Sequence, residues 1–236
     1  MSVVSVNTRI ETKRPGWPEI LVGLAVLALV GYGLPITLNR TGVTDGISPV
    51  TAGLILAALS GVAGLAAFAV AARIRSLSWS DFGVRPSTGR WLLIGVAGGL
   101  VATTLARVAG LVVYYLTSPS ENIQQPYLDA AGGGVLTLVL SFLFLAVLTP
   151  IGEEFLFRGV VTTALLRYGA VVGVVGSSLI FALMHGLNAV FVTALIVGLV
   201  AAELRRRSGS VWPGVLAHVT NNLIGQALAL ILAAAA

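Results

Sequence analysis

The residues best suited to chemistry stand in a charged run within apolar surroundings, TPIGEEFLFRG at 149–159. Residues four apart in a helix share one face, so Glu154 and Arg158 can form an ion pair. Adjacent residues diverge by about 100° around a helix, which turns Glu153 toward a different neighbour. Glu153 is therefore the better candidate for a reactive carboxylate, and Glu154 is the better candidate for an orienting one.

Two more polar stretches, FALMH and HVTNN, follow in the same half of the chain. His185 ends the first stretch and His218 begins the second, and they are the only two histidines in the sequence. His218 and Asn222 are four residues apart and can face one cavity, with Asn221 as the weaker alternative. Phe181 lies one turn before His185, where its ring can wall a pocket.

A carboxylate with two imidazoles suits two kinds of amide hydrolysis. In the first, a carboxylate near one histidine takes a proton from water, while the other histidine and an amide donate to the resulting oxyanion. In the second, His185, His218 and Glu153 bind zinc, and water is the fourth ligand. The usual HExxH zinc motif is absent, so a zinc site would draw on three separate helices. The residues leave this choice open.

Membrane helices are the elements that must position these side chains. The chain has 236 residues, of which 57% are hydrophobic and 10% are charged, and its mean hydropathy is +0.98. A soluble domain carries about 25% charged residues. Backbone polar groups in lipid must be satisfied within the protein, and the alternating pattern of a barrel is missing, so the spans should be helices. The lack of cysteine excludes disulfides and thiolate chemistry.

Seven apolar segments predict an all-α fold, a polytopic membrane helix bundle with about seven transmembrane helices. The segments are roughly 19–38, 49–72, 91–116, 134–149, 169–187, 189–204 and 213–232. The charged motif then falls in a region, 150–168, between the fourth and fifth segments.

Basic residues concentrate in alternate loops. They precede the first segment and follow the second, fourth and sixth: Arg9, Lys13, Arg14, Arg73, Arg75, Arg85, Arg90, Arg158, Arg167, Arg205, Arg206 and Arg207. The loop at 117–133 holds Glu121 and Asp129 and has no lysine or arginine. The positive-inside rule therefore predicts a multi-pass protein of the cell membrane with a cytoplasmic N-terminus and an external C-terminus. The net charge of +5 then reflects topology, and no nucleic-acid partner is expected.

The three polar stretches resemble, in order, the EExxxR, FxxxH and HxxxN motifs of the CAAX protease and bacteriocin-processing (CPBP) family of intramembrane proteases. The spacing of about 30 residues between motifs is also similar, and the likeness covers about 134–225. It divides the chain into a polar cytoplasmic N-terminus (1–18), transmembrane helices of unspecific sequence (19–133) and a CPBP-like catalytic core (134–233).

The resemblance implies an intramembrane endopeptidase whose substrate is a membrane-associated peptide or protein. The implied roles are water activation by Glu153 with help from His185, oxyanion stabilisation by His218 and Asn222, structural support by Glu154 and Arg158, and a pocket wall from Phe181. Both a zinc-dependent and a metal-free, glutamate-dependent mechanism are proposed for this family. In the zinc case, His185, His218 and Glu153 would be the ligands.

Two other functions are compatible with the same residues. A proton-coupled membrane transporter would use Glu153 and His185 as a proton relay. Transporters often contain inverted repeats, and the sequence shows no such symmetry. A non-catalytic membrane scaffold would need neither side chain. Membrane lipid is an expected partner under all three interpretations.

Overall fold

The computed structural model describes residues 14–117 and 124–235, and the regular elements within these ranges are all helical. The predicted all-α helix bundle is confirmed. The helices are α1 (Trp17–Arg40), α2 (Pro49–Arg73), α3 (Gly89–Leu116), α4 (Gln125–Ala131), α5 (Val135–Tyr168), α6 (Val172–Met184), α7 (Ala189–Ser208) and α8 (Trp212–Ala235).

Five of these helices, α1, α2, α3, α5 and α8, are long and apolar enough to cross a membrane. All seven predicted apolar segments are helical, but the predicted count of seven spans is not confirmed. At 1.5 Å per residue, α6 is only about 20 Å long, whereas the hydrocarbon core is about 30 Å thick. In α7, Glu203 and the following arginines occupy the last turns, so less of its length is apolar.

α5 continues through the charged motif, and the predicted division after Thr149 is wrong. Wide turns of π-helix occupy Phe142–Leu148 and Phe155–Thr162. Pro150 has no N–H to donate, and its ring crowds the preceding turn of an ordinary α-helix. The wide turn directly before Pro150 relieves this crowding, so the helix passes the proline without a break.

α2 and α5 pack backbone against backbone beside the charged motif. A Cβ atom at Gly152 would overlap the carbonyl oxygen of Gly61. A Cβ atom at Gly64 would lie 2.5 Å from the carbonyl carbon of Gly152. Only glycine permits so close an approach, and it brings the polar groups of α2 within reach of Glu153.

α8 is held in the same way by α3. Cβ atoms at Gly95 and Gly99 would each lie 2.5 Å from a carbonyl oxygen of α8, that of Pro213 or that of Ala217. This contact fixes the part of α8 that carries His218, which directly follows Ala217.

Some predicted features lie outside the described residues. They include most of the polar N-terminus, with Arg9 and Lys13, and Glu121 in the loop at 117–133. In the described part of that loop, the short helix α4 forms where no helix was predicted.

Candidate active site

The ion pair predicted within the charged motif lies in the core. Arg158 Nε is 3.0 Å from Glu154 Oε2, and both side chains are 0% exposed. The Arg158 guanidinium also lies 4.6 Å from the centre of the Phe181 ring. The carboxylate and the ring face both stabilise the buried positive charge. Because Arg158 is fixed, the Glu154 carboxylate is fixed as well.

Glu154 in turn orients His218 on α8. His218 Nδ1 is 3.1 Å from Glu154 Oε1, the oxygen that faces away from Arg158. An ionised carboxylate only accepts hydrogen bonds, so Nδ1 carries the proton and Nε2 faces the site. Gly214, one turn earlier, leaves room for this contact, because a Cβ atom there would lie 2.8 Å from Glu154 Oε2.

His185 is oriented by the end of its own helix. Its Nδ1 lies 2.9 Å from the carbonyl oxygen of Phe181, which places the proton of the neutral ring on Nδ1. The Phe181 and His185 rings also meet edge to face at 4.6 Å. The His185 side chain is 25% exposed, against 9% for Glu153 and 7% for His218. His185 therefore lies on the open side of the site.

Glu153 lies between the two histidines. Its Oε2 is 3.9 Å from Nε2 of His185 and 3.9 Å from Nε2 of His218. Within the described residues this buried oxygen accepts no hydrogen bond. Since both neutral imidazoles carry their proton on Nδ1, three acceptor atoms face one another. The space between these three atoms suits a water molecule, which can donate two hydrogen bonds, or a cation.

Ser60 is a residue of this cluster that the sequence analysis missed. Its Oγ donates to the other Glu153 oxygen, Oε1, at 3.0 Å. The neighbouring Gly61 belongs to the close contact between α2 and α5. The run SGVAG, with glycines three residues apart, was the available signal for a tight helix contact with a hydroxyl beside it.

Asn222 fills a gap that Pro150 leaves in α5. The backbone N–H of Thr149 bonds five residues back to the carbonyl of Phe144. The next bond in that series would run from residue 150 to Leu145, and proline cannot donate it. Asn222 Nδ2 donates to the Leu145 carbonyl instead, at 3.0 Å. This contact ties the His218 helix to the helix of the charged motif.

Asn221, the weaker candidate, faces elsewhere. Its Nδ2 donates to Asn222 Oδ1 at 3.1 Å, and its Oδ1 accepts from Thr103 Oγ1 of α3 at 3.3 Å. An amide nitrogen carries two N–H groups, so Asn222 has a second donor besides the one used at Leu145.

The ligand types of the site fit zinc, but their separations do not. The two Nε2 atoms and Glu153 Oε2 are suitable ligands, and each Nδ1 has the kind of outer partner that zinc-bound histidines use. Tetrahedral ligands about 2.1 Å from zinc lie about 3.4 Å apart, whereas the observed separations from Glu153 are 3.9 Å. Within the described residues, no group of three or more His, Cys, Asp or Glu forms a metal site. As they stand, these side chains suit water better than zinc.

Comparison with known proteins agrees with the three motifs. Residues 135–224 match the family model described as Rce1-like, type II CAAX prenyl endopeptidase Rce1-like. That range runs from α5 into α8 and contains every candidate residue of the site except Ser60. Searches of curated proteins and of solved structures gave no match. The apolar helices and this match together support a multi-pass membrane protein. The resemblance is confirmed: residues 135–224 match a model of the CAAX protease family.

Proposed function

We propose that the protein is an intramembrane endopeptidase in which Glu153 activates the water that hydrolyses a peptide bond. The family match supports a protease in general. One observation carries the proposed mechanism: among the described residues the buried Glu153 Oε2 has no hydrogen-bond donor, and it lies 3.9 Å from Nε2 of both His185 and His218. That separation is too long for a direct hydrogen bond, so the three acceptors need a donor among them.

In the first step, water donates hydrogen bonds to Glu153 Oε2 and to His185 Nε2. Glu153 takes one proton as general base, and the water oxygen bonds to the carbonyl carbon of the substrate. His185 assists by orienting the water. The His185 side chain is partly exposed, on the open side of the site, which also supports a role next to the incoming peptide.

The attack leaves negative charge on the carbonyl oxygen. His218 donates to this oxyanion from Nε2 after that nitrogen has taken a second proton from solvent, and Glu154 beside Nδ1 stabilises the resulting imidazolium. The attacking water is then held by the two remaining acceptors, Glu153 Oε2 and His185 Nε2. The second N–H of Asn222 is an additional donor. The proton held by Glu153 then passes to the amide nitrogen as the C–N bond breaks, which releases an amine and a carboxylic acid and restores the Glu153 carboxylate. The acid product afterwards loses its proton to solvent.

The substrate that fits this site is a peptide segment held at the membrane. The catalytic groups lie among membrane helices, and the positive-inside rule places them toward the cytoplasmic side of the cell membrane. We propose a membrane-associated peptide or protein that presents its scissile bond from that side.

The decisive test is Glu153→Gln in purified protein with a membrane-anchored peptide reporter. Loss of a general base lowers the rate by about 100-fold to 10,000-fold, and we expect a loss in this range with unchanged thermal stability. Asp45→Asn, in the exposed loop after α1, is the control carboxylate change and should keep full activity. Full cleavage by Glu153→Gln would end the proposal, and proton transport without hydrolysis would favour the transporter.

The same assay separates the two hydrolytic schemes. We expect cleavage to survive exhaustive chelation, because the proposed mechanism uses protein groups and water alone. Activity that disappears on chelation and returns with zinc would instead identify His185, His218 and Glu153 as zinc ligands.

A further inference from the structure

A cavity of about 600 Å³ lies between the first turns of α3 and the last turns of α7, away from the candidate active site. Its walls are aliphatic and come from Ile94, Leu199, Val200 and Leu204. Its mouth is formed by Arg90 and Arg207. We call this cavity the α3–α7 groove. Its lining includes no residue of the candidate active site.

The mouth of the groove carries uncompensated positive charge. Among the described residues, Arg90 has no ion-pair partner. Arg207 shares the single carboxylate of Glu203 with Arg206. The lining itself holds two guanidinium groups and one acid, and Arg206, just outside it, already pairs with that acid, so Arg90 and Arg207 keep positive charge for an anionic ligand.

The groove changes from charged to apolar along its two helices, as a lipid molecule does from its headgroup to its chains. Arg90 is the second residue of α3 and Arg207 is next to the last residue of α7, so the mouth is level with helix ends. Trp91, also in the lining, is of the type that concentrates at the membrane interface. The aliphatic walls begin one turn deeper, which is the depth of acyl chains.

The groove is closed at its base where the two helices meet. Gly98 has no side chain there, and a Cβ atom would lie 3.1 Å from Val200 Cγ1 and 3.5 Å from Leu204 Cδ1. The walls offer aliphatic surface without the polar partners that a peptide backbone needs. An occupant must therefore combine an anionic head with an apolar chain.

We infer that the α3–α7 groove binds one anionic phospholipid. Its phosphate lies between Arg90 and Arg207, and one acyl chain follows Ile94, Leu199 and Val200. Basic pockets between membrane helices bind anionic headgroups by this combination of charge and apolar surface.

The test measures lipid retention by delipidated protein in detergent. Phosphatidylglycerol and phosphatidylcholine with identical chains are added separately, and native mass spectrometry counts the bound molecules. We expect one phosphatidylglycerol to be retained, with about fivefold preference over phosphatidylcholine. Arg90→Gln should weaken the binding of phosphatidylglycerol about fivefold. Arg73→Gln is the matched control, because Arg73 is an exposed arginine at the end of α2, outside the groove.

Two further variants probe the other parts of the groove. Glu203→Gln frees Arg206 and Arg207 and should strengthen retention of phosphatidylglycerol. Val200→Phe fills the apolar part and should weaken retention of both lipids while the charges remain. Soluble glycerol phosphate, which has the head without the chains, should not displace the lipid.

Several outcomes would overturn the inference. They are equal retention of the two lipids, equal behaviour of Arg90→Gln and Arg73→Gln, or displacement by glycerol phosphate. If Val200→Phe changes the oligomeric state and leaves lipid retention unchanged, the groove is a contact between copies of the chain instead.

Discussion

Glu153 and Glu154 are neighbours in sequence with very different surroundings. One oxygen of Glu154 contacts Arg158 and the other contacts His218, so this carboxylate orients two other side chains. Glu153 has one oxygen bound by Ser60 and leaves the other facing two imidazoles. A rotation of about 100° around the helix is thus enough to separate a structural carboxylate from one that is free to accept a proton.

The buried ion pair leads to a prediction about stability. Removing one partner of such a pair leaves an uncompensated charge and costs about 3–5 kcal/mol. We expect Arg158→Met and Glu154→Gln each to lower the free energy of unfolding by this amount. The double variant should be less destabilised than the sum of the two, because no lone charge remains. Additive losses in denaturation measurements would show that the two groups do not act as a pair.

Ser60 leads to a prediction about rate. A hydrogen bond to a charged group contributes about 1.5–3 kcal/mol. Ser60→Ala should therefore lower kcat by about 10-fold to 100-fold, since Glu153 loses its positioning donor. KM should change little, because the serine has no predicted contact with substrate. Thr104→Val is the control and should leave kcat unchanged, because among the described residues the Thr104 hydroxyl bonds within α3, to the carbonyl of Leu100. Equal kcat in wild type and Ser60→Ala would remove Ser60 from the site.

At the scale of the helices, glycine contacts set the distances within the site. Gly152 directly precedes Glu153, and it is pressed against the backbone of α2 at Gly61. Any widening of this contact also moves Glu153 away from Ser60. The contact between α3 and α8 fixes His218 in the same manner, so two glycine interfaces determine the active-site geometry.

Gly152→Ala tests this dependence. The added methyl group meets backbone rather than a mobile side chain, so the helices must separate, at a cost of about 1–3 kcal/mol or more. We expect a lower unfolding temperature and a large loss of cleavage. Gly110→Ala, in α3, is the control, because a Cβ atom there has no neighbour within 4 Å in the part of the chain that the structure describes. If both variants behave like the wild type, the close contact is not needed for the site.

The sequence predicted the presence of the helices better than the residues at which they begin and end. Each apolar segment became a helix because lipid leaves the backbone no alternative. The continuity of α5 was missed, because Glu153, Glu154 and Arg158 interrupt its apolar run although two of these charges neutralise each other. The length of α6 was overestimated, since nothing in an apolar run marks where a helix stops short of the far surface.

The site was predictable where it depends on local spacing. The i, i+4 rule was sufficient for Glu154 with Arg158, and for Phe181 beside His185. It could not supply Ser60, which lies 93 residues from Glu153 and meets it only through a contact between helices. Nor could it show that Asn222 compensates for Pro150, because that role depends on the wide turn in α5.

For the whole molecule, the distribution of arginines predicts one orientation. α6 and α7 form a hairpin that begins and ends on the side marked by Arg167 and Arg205. Whether this hairpin reaches the far surface or stops within the membrane, the helices after it keep the same direction. The predicted sidedness is therefore independent of whether five or seven helices cross.

Single cysteines test the orientation directly, because the natural chain has none. We expect Asp45→Cys and Ala235→Cys to react with a membrane-impermeant thiol reagent in intact cells. Thr88→Cys, between α2 and α3, should react only after the membrane is opened. The opposite pattern would show that the N-terminus lies outside.

The pairing of Glu154 with Arg158 also has a consequence for biosynthesis. Both residues belong to α5 and lie one turn apart, so they neutralise each other without help from another segment. A lone charge at the centre of a helix costs about 2.5–3.5 kcal/mol during insertion by the translocon. Within the charged motif of α5, only the charge of Glu153 then remains unpaired while the ribosome has yet to make α8 and His218.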